Sequence, residues 1–275
     1  MHEGTFAAQD GAELFERRWE IANPRACVVI VHGFGHHSGS FAGVAERLNA
    51  AGYSVCAFDQ RGHGKSPGAR GRVGSVETTL GDMEAYLERL RPGLDERPWF
   101  ALGHSLGALI LGLYALERTC IAAGLIFSSG LFCVPGQVSP LLRRLVGVIA
   151  AVAPWAPVQR VEVNATTRDE AAIQELNTDP LRYAGMMDAR TGAEIAKAVE
   201  RFEARMHEVK LPILALHGTH DGLTDWEGSK RLYERAGATD KTLRLFEGGY
   251  HELYNDLVKE QFLSEIVAWL DARAR

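Results

Sequence analysis

Trp99-Phe100-Ala101-Leu102-Gly103-His104-Ser105-Leu106-Gly107-Ala108-Leu109-Ile110 is the stretch on which the reading of this chain turns. An apolar, strand-like run enters Gly-His-Ser-Leu-Gly, and an Ala- and Leu-rich run of helical character leaves it. A strand, a sharp turn and a helix in that order lift the serine of G-x-S-x-G to the tip of a strained turn with its hydroxyl exposed. Gly103 and Gly107 then stand where any Cβ would collide with the neighbouring strand or helix. The helix N-terminus would point at a reacting carbon, with the Leu106 N–H free to bind a developing oxyanion. G-x-S-x-G also arises by chance in surface turns. The two flanking runs favour the nucleophile elbow.

Outward from this stretch, the same strand and helix alternation recurs. Glu3 to Ala8 and Glu13 to Glu20 flank an Asp10-Gly11 turn of the hairpin kind. Ala26-Cys27-Val28-Val29-Ile30-Val31 is a continuous apolar run, the pattern of a strand covered on both faces. Helical spacing through Phe41, Val44, Ala45 and Leu48 predicts a helix from Ser40 to Ala51, stopped by Gly52. Tyr53 to Phe58 is predicted as a strand, Thr78 to Leu90 as a helix, Ala122 to Phe127 as a strand. Ile213 to Gly218, Trp226 to Ala236, Thr242 to Phe246 and Val258 to Ala272 continue the series as strand, helix, strand and helix. Such alternation argues an α/β chain with a parallel sheet and helices on both faces.

The alternation breaks between Leu131 and about Lys210, a stretch far longer than one crossover needs. It is expected to be an inserted helical cap, residues 131–206, with residues 1–130 and 207–275 forming the core. Its piece Pro140 to Trp155 is apolar on nearly every face apart from Arg143 and Arg144. Either that piece is buried within the cap, or part of it forms the mouth of a channel and a weak peripheral membrane contact.

Bulk properties narrow the classes. The chain has 275 residues, 46% hydrophobic and 24% charged, as in an ordinary globular protein. A net charge of -5 provides no footprint for nucleic acid. No apolar run reaches the length of a membrane span. Met1-His2-Glu3-Gly4-Thr5 lacks a basic segment followed by an apolar one, which leads to the expectation of a cytoplasmic chain with Cys27, Cys56, Cys120 and Cys133 as reduced thiols.

A serine hydroxyl is a poor nucleophile at pH 7 and needs a base, which in turn needs an orienting acid. With the serine on an elbow, these partners follow it as acid and then histidine, each on a loop at a strand's C-terminal end. Asp221 lies just past the strand ending at Gly218, and His251 lies just past Phe246. Ser105, Asp221 and His251 are therefore the expected triad. Asp225 competes with Asp221 but lies further from the strand end. His217 and His220 could suggest a metal site with Asp221 or could supply the base, and His36 and His37 invite the same suspicion, yet the metal reading needs further converging ligands and none are identifiable. Loop histidines satisfied by hydrogen bonds are the simpler reading of all four, and neither a metal nor a cofactor is expected. A second oxyanion donor besides Leu106 should come from the loop after Val31, where Phe34 lies between Gly33 and Gly35. A tight β-to-α turn would require the same glycines. Arg61 is expected to pair with a carboxylate near the sheet edge, with His63 structural.

These motifs resemble the α/β-hydrolase superfamily and, more narrowly, its monoacylglycerol lipase and lysophospholipase group in bacterial form. The resemblance rests on His32-Gly33-Phe34-Gly35-His36-His37-Ser38-Gly39, Asp59-Gln60-Arg61-Gly62-His63-Gly64-Lys65-Ser66, Gly103-His104-Ser105-Leu106-Gly107, Asn177-Thr178-Asp179-Pro180-Leu181, Leu216-His217-Gly218-Thr219-His220-Asp221 and Glu247-Gly248-Gly249-Tyr250-His251-Glu252. It covers nearly the whole chain, and Asn-Thr-Asp-Pro-Leu is its most specific piece. The resemblance implies the α/β-hydrolase fold, an eight-stranded, mostly parallel sheet, no cofactor, and an acyl channel beneath a cap. It also implies a serine carboxylic-ester hydrolase acting on a small-molecule lipid ester, first of all a monoacylglycerol. The chain departs from the group at His36, where Glu is common, and at Ser40, Leu176 and Tyr254, where animal members place polar residues around the glycerol. Rival readings are a short-chain esterase, a lysophospholipase, a peptidase, or a receptor that uses the pocket without turnover. Relatives with dehalogenase or epoxide hydrolase chemistry place Asp where this chain has Ser105. Acyl length, leaving alcohol and oligomeric state are left open.

Overall fold

The computed structural model describes residues 1–94, 97–133, 147 and 149–274. Its opening hairpin pairs β1 (His2–Ala7) with β2 (Glu13–Trp19) around the Asp10-Gly11 turn. Strands and helices then alternate as β3 (Ala26–Val31), α1 (Ala42–Ala50), β4 (Tyr53–Phe58), α2 (Val76–Leu94), β5 (Trp99–His104), α3 (Leu106–Glu117) and β6 (Gly124–Ser128). The insertion that follows carries β7 (Pro157–Arg160), α4 (Glu170–Thr178), β8 (Met186–Asp188) and α5 (Ala189–Arg205). Alternation resumes with β9 (Ile213–Gly218), α6 (Trp226–Arg235), β10 (Lys241–Phe246) and α7 (Lys259–Asp271).

Eight strands form one sheet in the order β1-β2-β4-β3-β5-β6-β9-β10. Its β1/β2 and β2/β4 pairs are antiparallel, and the rest are parallel. The alternation of side chains along a strand divides β3 between two cores. Val29 and Val31 join Leu80 and Met83 of α2 and Leu109 and Leu113 of α3. Val28 and Ile30 join Val44 and Leu48 of α1 and Phe262 and Ile266 of α7. That double burial is why the strand reads as an unbroken apolar run. Each such aliphatic side chain contributes roughly 1.5–3 kcal/mol relative to exposure. The C-terminal ends of β3, β5, β9 and β10 all open on one edge, and the loops leaving them carry the residues of interest.

Two local differences from expectation have physical causes. Helix α2 runs on past Leu90 through Pro92, because Leu90 and Leu94 are both held in the core and anchor the last turn. The insertion is not purely helical: β7 and β8 form an antiparallel ribbon, and Asp188 at its end caps α5 by accepting from the Thr191 N–H at 2.8 Å. Of the apolar piece Pro140 to Trp155, residues 140–146 and 148 lie outside the described residues. Val152 and Trp155 are 72% and 66% exposed. Among the described residues, no helix is long and apolar enough to cross a membrane.

Candidate active site

Ser105 sits between β5 and α3 with φ 54° and ψ -119°, a conformation that L-residues adopt only under constraint. The surrounding backbone supplies the constraint. A Cβ on Gly107 would fall on the Val31 carbonyl, and one on Gly103 would lie 2.6 Å from the Gly107 oxygen, so neither flank admits a side chain. The Ser105 N–H is tied to the Ser128 oxygen at 2.9 Å. Helix α3 begins at the next residue, and the turn therefore presents the serine at the helix's positive end. The strand, turn and helix expected from the sequence are all present.

Asp221 leaves the end of β9, and His251 lies on the loop after β10. Parallel pairing places Phe246 opposite Gly218 and brings the two loops together. Asp221 Oδ2 is 2.7 Å from His251 Nδ1, and Nε2 is the remaining ring nitrogen. Two backbone donors, Leu223 N–H at 2.8 Å and Thr224 N–H at 2.9 Å, hold Asp221 Oδ1. The Thr224 hydroxyl donates to Oδ2 at 2.8 Å, and His217 Nε2 lies 3.1 Å from the same oxygen. Burial opposes ionisation of this carboxyl, but His251 and His217 outweigh it and hold the pKa well below the usual range. For His251 the order is the same: burial disfavours the cation, while Asp221 and the nearby Glu252 raise the pKa above its ordinary value. His104, whose ring centroid is 4.8 Å from that of His251, is kept neutral by complete burial and by His251 itself.

Ser105, His251, Phe34 and Leu106 all line one cavity of about 550 Å³, a size typical of small-molecule sites. Its walls are largely apolar, with Leu131, Val158, Val161, Met187, Ile195 and Val199 all from the stretch between β6 and β9, and Gln159, Lys197 and Glu200 of the same stretch add polar groups. Among the described residues, neither the Phe34 nor the Leu106 N–H has a hydrogen-bond acceptor.

The competing histidines and acids have other partners. Asp225 caps α6, accepting from the Glu227 N–H at 3.0 Å. His217 Nδ1 lies 2.7 Å from the Ser229 hydroxyl, so both its ring nitrogens have neighbours. His220 lies 3.4 Å from the Thr219 hydroxyl. His37 meets Asp179, and His36 lies 3.1 Å from Glu252, a fully buried carboxyl held well below its ordinary pKa by His36 against the cost of burial. Arg61 pairs with Asp82 and Asp10, and His63 Nδ1 lies 2.9 Å from the Arg61 oxygen. Sequence reasoning missed Thr224 and Ser129. The latter donates to the His251 carbonyl at 2.7 Å and has a φ of 48°. Neither stands in a motif, and only the folded loops bring them to the acid and the histidine.

A family model described as serine aminopeptidase, S33, matches residues 22–258. The chain is 31% identical to the monoglyceride lipase of Mus musculus over 268 residues, 96% of this chain and 88% of that one. It is 28% identical to the monoacylglycerol lipase of Mycolicibacterium smegmatis over 269 residues, 98% and 96% of the two chains. The crystal structure of Paleococcus ferrophilus monoacylglycerol lipase superposes with a TM-score of 0.85 at 33% identity, covering 95% of this chain and 99% of that one.

Proposed function

Because the chain belongs to the serine aminopeptidase S33 family of hydrolases, with the α/β-hydrolase fold, we propose that it is a serine carboxylic-ester hydrolase cleaving monoacylglycerol to fatty acid and glycerol. One observation carries the reading: the largely apolar cavity of about 550 Å³ lined by Ser105 and His251, which suits an acyl chain better than a peptide backbone with its many polar groups. The resemblance to three monoacylglycerol lipases over nearly the whole chain supports it.

In the proposed reaction Ser105 Oγ attacks the ester carbonyl while His251 Nε2 takes its proton. Asp221 fixes the Nδ1–H tautomer and stabilises the imidazolium. The Phe34 and Leu106 N–H groups receive the tetrahedral oxyanion. Collapse expels the glycerol oxygen, which takes the proton from His251. Water, deprotonated by the same histidine, then attacks the acyl-serine, and collapse of the second intermediate releases the fatty acid as His251 returns the proton to Ser105 Oγ.

Residues 131–206 act in this reading as a cap over the core formed by 1–130 and 207–275. The exposed Val152 and Trp155 give that cap a weak contact with a lipid surface, the source of an amphiphilic substrate. Comparing turnover of mono-, di- and triacylglycerols, lysophospholipids and short p-nitrophenyl esters tests the assignment. Preference for long-chain monoacylglycerol is the expected result. Equal or better turnover of lysophospholipids, or activity confined to short esters, would overturn the substrate class.

A further inference from the structure

The segment from Asp179 to Tyr183, inside the insertion, grips the loop that carries Phe34. His37 Nε2 lies 2.7 Å from Asp179 Oδ2, and the Tyr183 N–H donates to the Gly35 oxygen at 2.8 Å. The Tyr183 ring meets the Phe34 ring edge-on, centroids 5.9 Å apart, and His63 makes a second T-shaped contact with Phe34 at 5.5 Å. Gly35 has φ +80°, and a Cβ there would come 3.0 Å from the Tyr183 oxygen, so the segment occupies the space that the missing side chain leaves.

The polar pair is fixed atom by atom. The Gly39 N–H donates to His37 Nδ1 at 3.1 Å, which puts the ring proton on Nε2, from where it is donated to Asp179. The other Asp179 oxygen accepts from the Leu181 N–H at 2.9 Å. Burial holds His37 below its ordinary pKa against the pull of Asp179 and keeps the ring neutral at pH 7. The insertion is attached without this pair. Arg72 lies 2.9 Å from Asp188, Arg70 donates to the Leu181 oxygen at 2.6 Å, and Phe202 is buried in the core. What the pair adds is local: it holds the His37 end of the loop, while the Tyr183 N–H holds its middle at Gly35.

We infer that His37 and Asp179 are positioning residues for the hydrolysis, clamping the loop so that the Phe34 N–H stays aimed at the developing oxyanion. This rests on the proposed role of Phe34. Removing an oxyanion donor costs about 10²–10³ in turnover, and a displacement of about 1 Å at a reacting centre costs up to about 10². A clamp therefore acts mainly on kcat, because the oxyanion exists only in the transition state and the intermediate.

The test compares His37→Asn, whose amide reproduces the Nδ1 acceptor but stops short of Asp179, with His37→Gln, whose amide nitrogen reaches it. Asp179→Leu removes the acceptor from the other side, and melting temperature reports folding. For a soluble p-nitrophenyl ester, His37→Asn and Asp179→Leu should lower kcat about 10- to 100-fold with KM within about twofold. Both should weaken binding of an alkylboronic acid, whose serine adduct places an oxygen in the same hole, by a similar factor, and His37→Gln should restore kcat to within about threefold of the parent. Unchanged kcat in His37→Asn and Asp179→Leu, loss of kcat without loss of boronate affinity, or failure of Gln to restore it would each overturn the clamp. Ser105→Ala, run in parallel, separates the two levels: activity surviving there would sink the proposed site itself, whereas a dead Ser105→Ala beside an active His37→Asn would sink the clamp alone.

Discussion

Asp221 holds His251 through a single oxygen, with Oδ2 2.7 Å from Nδ1, while two backbone N–H groups fix the other oxygen in place. The carboxylate has no exposed surface, and it accepts in addition from the Thr224 hydroxyl. An acid so fully bound can orient an imidazole but is a poor proton acceptor, since its pKa lies well below the usual range. In the proposed reaction the proton that His251 takes from Ser105 therefore stays on the imidazole, and Asp221 stabilises the resulting cation.

Asp221→Asn should accordingly be severe. The amide can present its NH₂ to Nδ1 and leave the proton on Nε2, the wrong nitrogen for a base, and kcat should fall on the order of 10⁴-fold. The fold should survive, because the two backbone donors can still bind the amide oxygen. Stopped assays on monoacylglycerol beside a circular-dichroism melt check this; activity within tenfold of the parent would remove Asp221 from its proposed role.

The pH dependence of kcat/KM follows from the same geometry. A general base must be neutral, and Asp221 and Glu252 raise the pKa of His251 above 6.5 even though burial pulls it down. The acid limb of the profile should therefore fall at a pH above 6.5, and Glu252→Gln, which deletes one of the two raising charges, should move the limb to lower pH. A limb already below pH 5, or one that Glu252→Gln leaves in place, contradicts the account.

At the outer face, Val152→Asp combined with Trp155→Ser should weaken adsorption to lipid vesicles and slow hydrolysis of long-chain monoacylglycerol. A soluble short ester should be turned over nearly as before, because Ser105 and His251 stand on the sheet edge. The melting temperature should change little, both side chains being mostly exposed. Parallel loss of vesicle binding, both activities and melting temperature would show that the two residues support the fold instead of a lipid contact.

How much of this was legible from residues alone differs from element to element. The run Ala26 to Val31 reads as a two-sided strand because its alternate residues enter two different cores. Ser105 was legible because its turn tolerates only glycine on either side, and a constraint of that kind leaves a mark in the sequence. Asp221 and His251 were legible through position, each just past a strand whose hydrophobic pattern is unmistakable. Thr224 was not, since a hydroxyl in a loop has no periodicity and acquires a role only when β9 and β10 bring Asp221 and His251 together. The His37–Asp179 pair spans 142 residues, and nothing local to either residue announces the other. The β7/β8 ribbon escaped notice because Met186–Asp188 is only three residues long, too short to show alternation.

The central claim, that Ser105 is the nucleophile of an ester hydrolase, is tested most directly by covalent labelling. A fluorophosphonate bearing an alkyl chain should inactivate the enzyme with one equivalent bound, and peptide mapping by mass spectrometry should place the adduct on the peptide holding Gly103 to Gly107, at Ser105. A saturating amount of long-chain monoacylglycerol should slow the labelling. An adduct on any other residue, or full hydrolysis of monoacylglycerol by protein already labelled at Ser105, would contradict it.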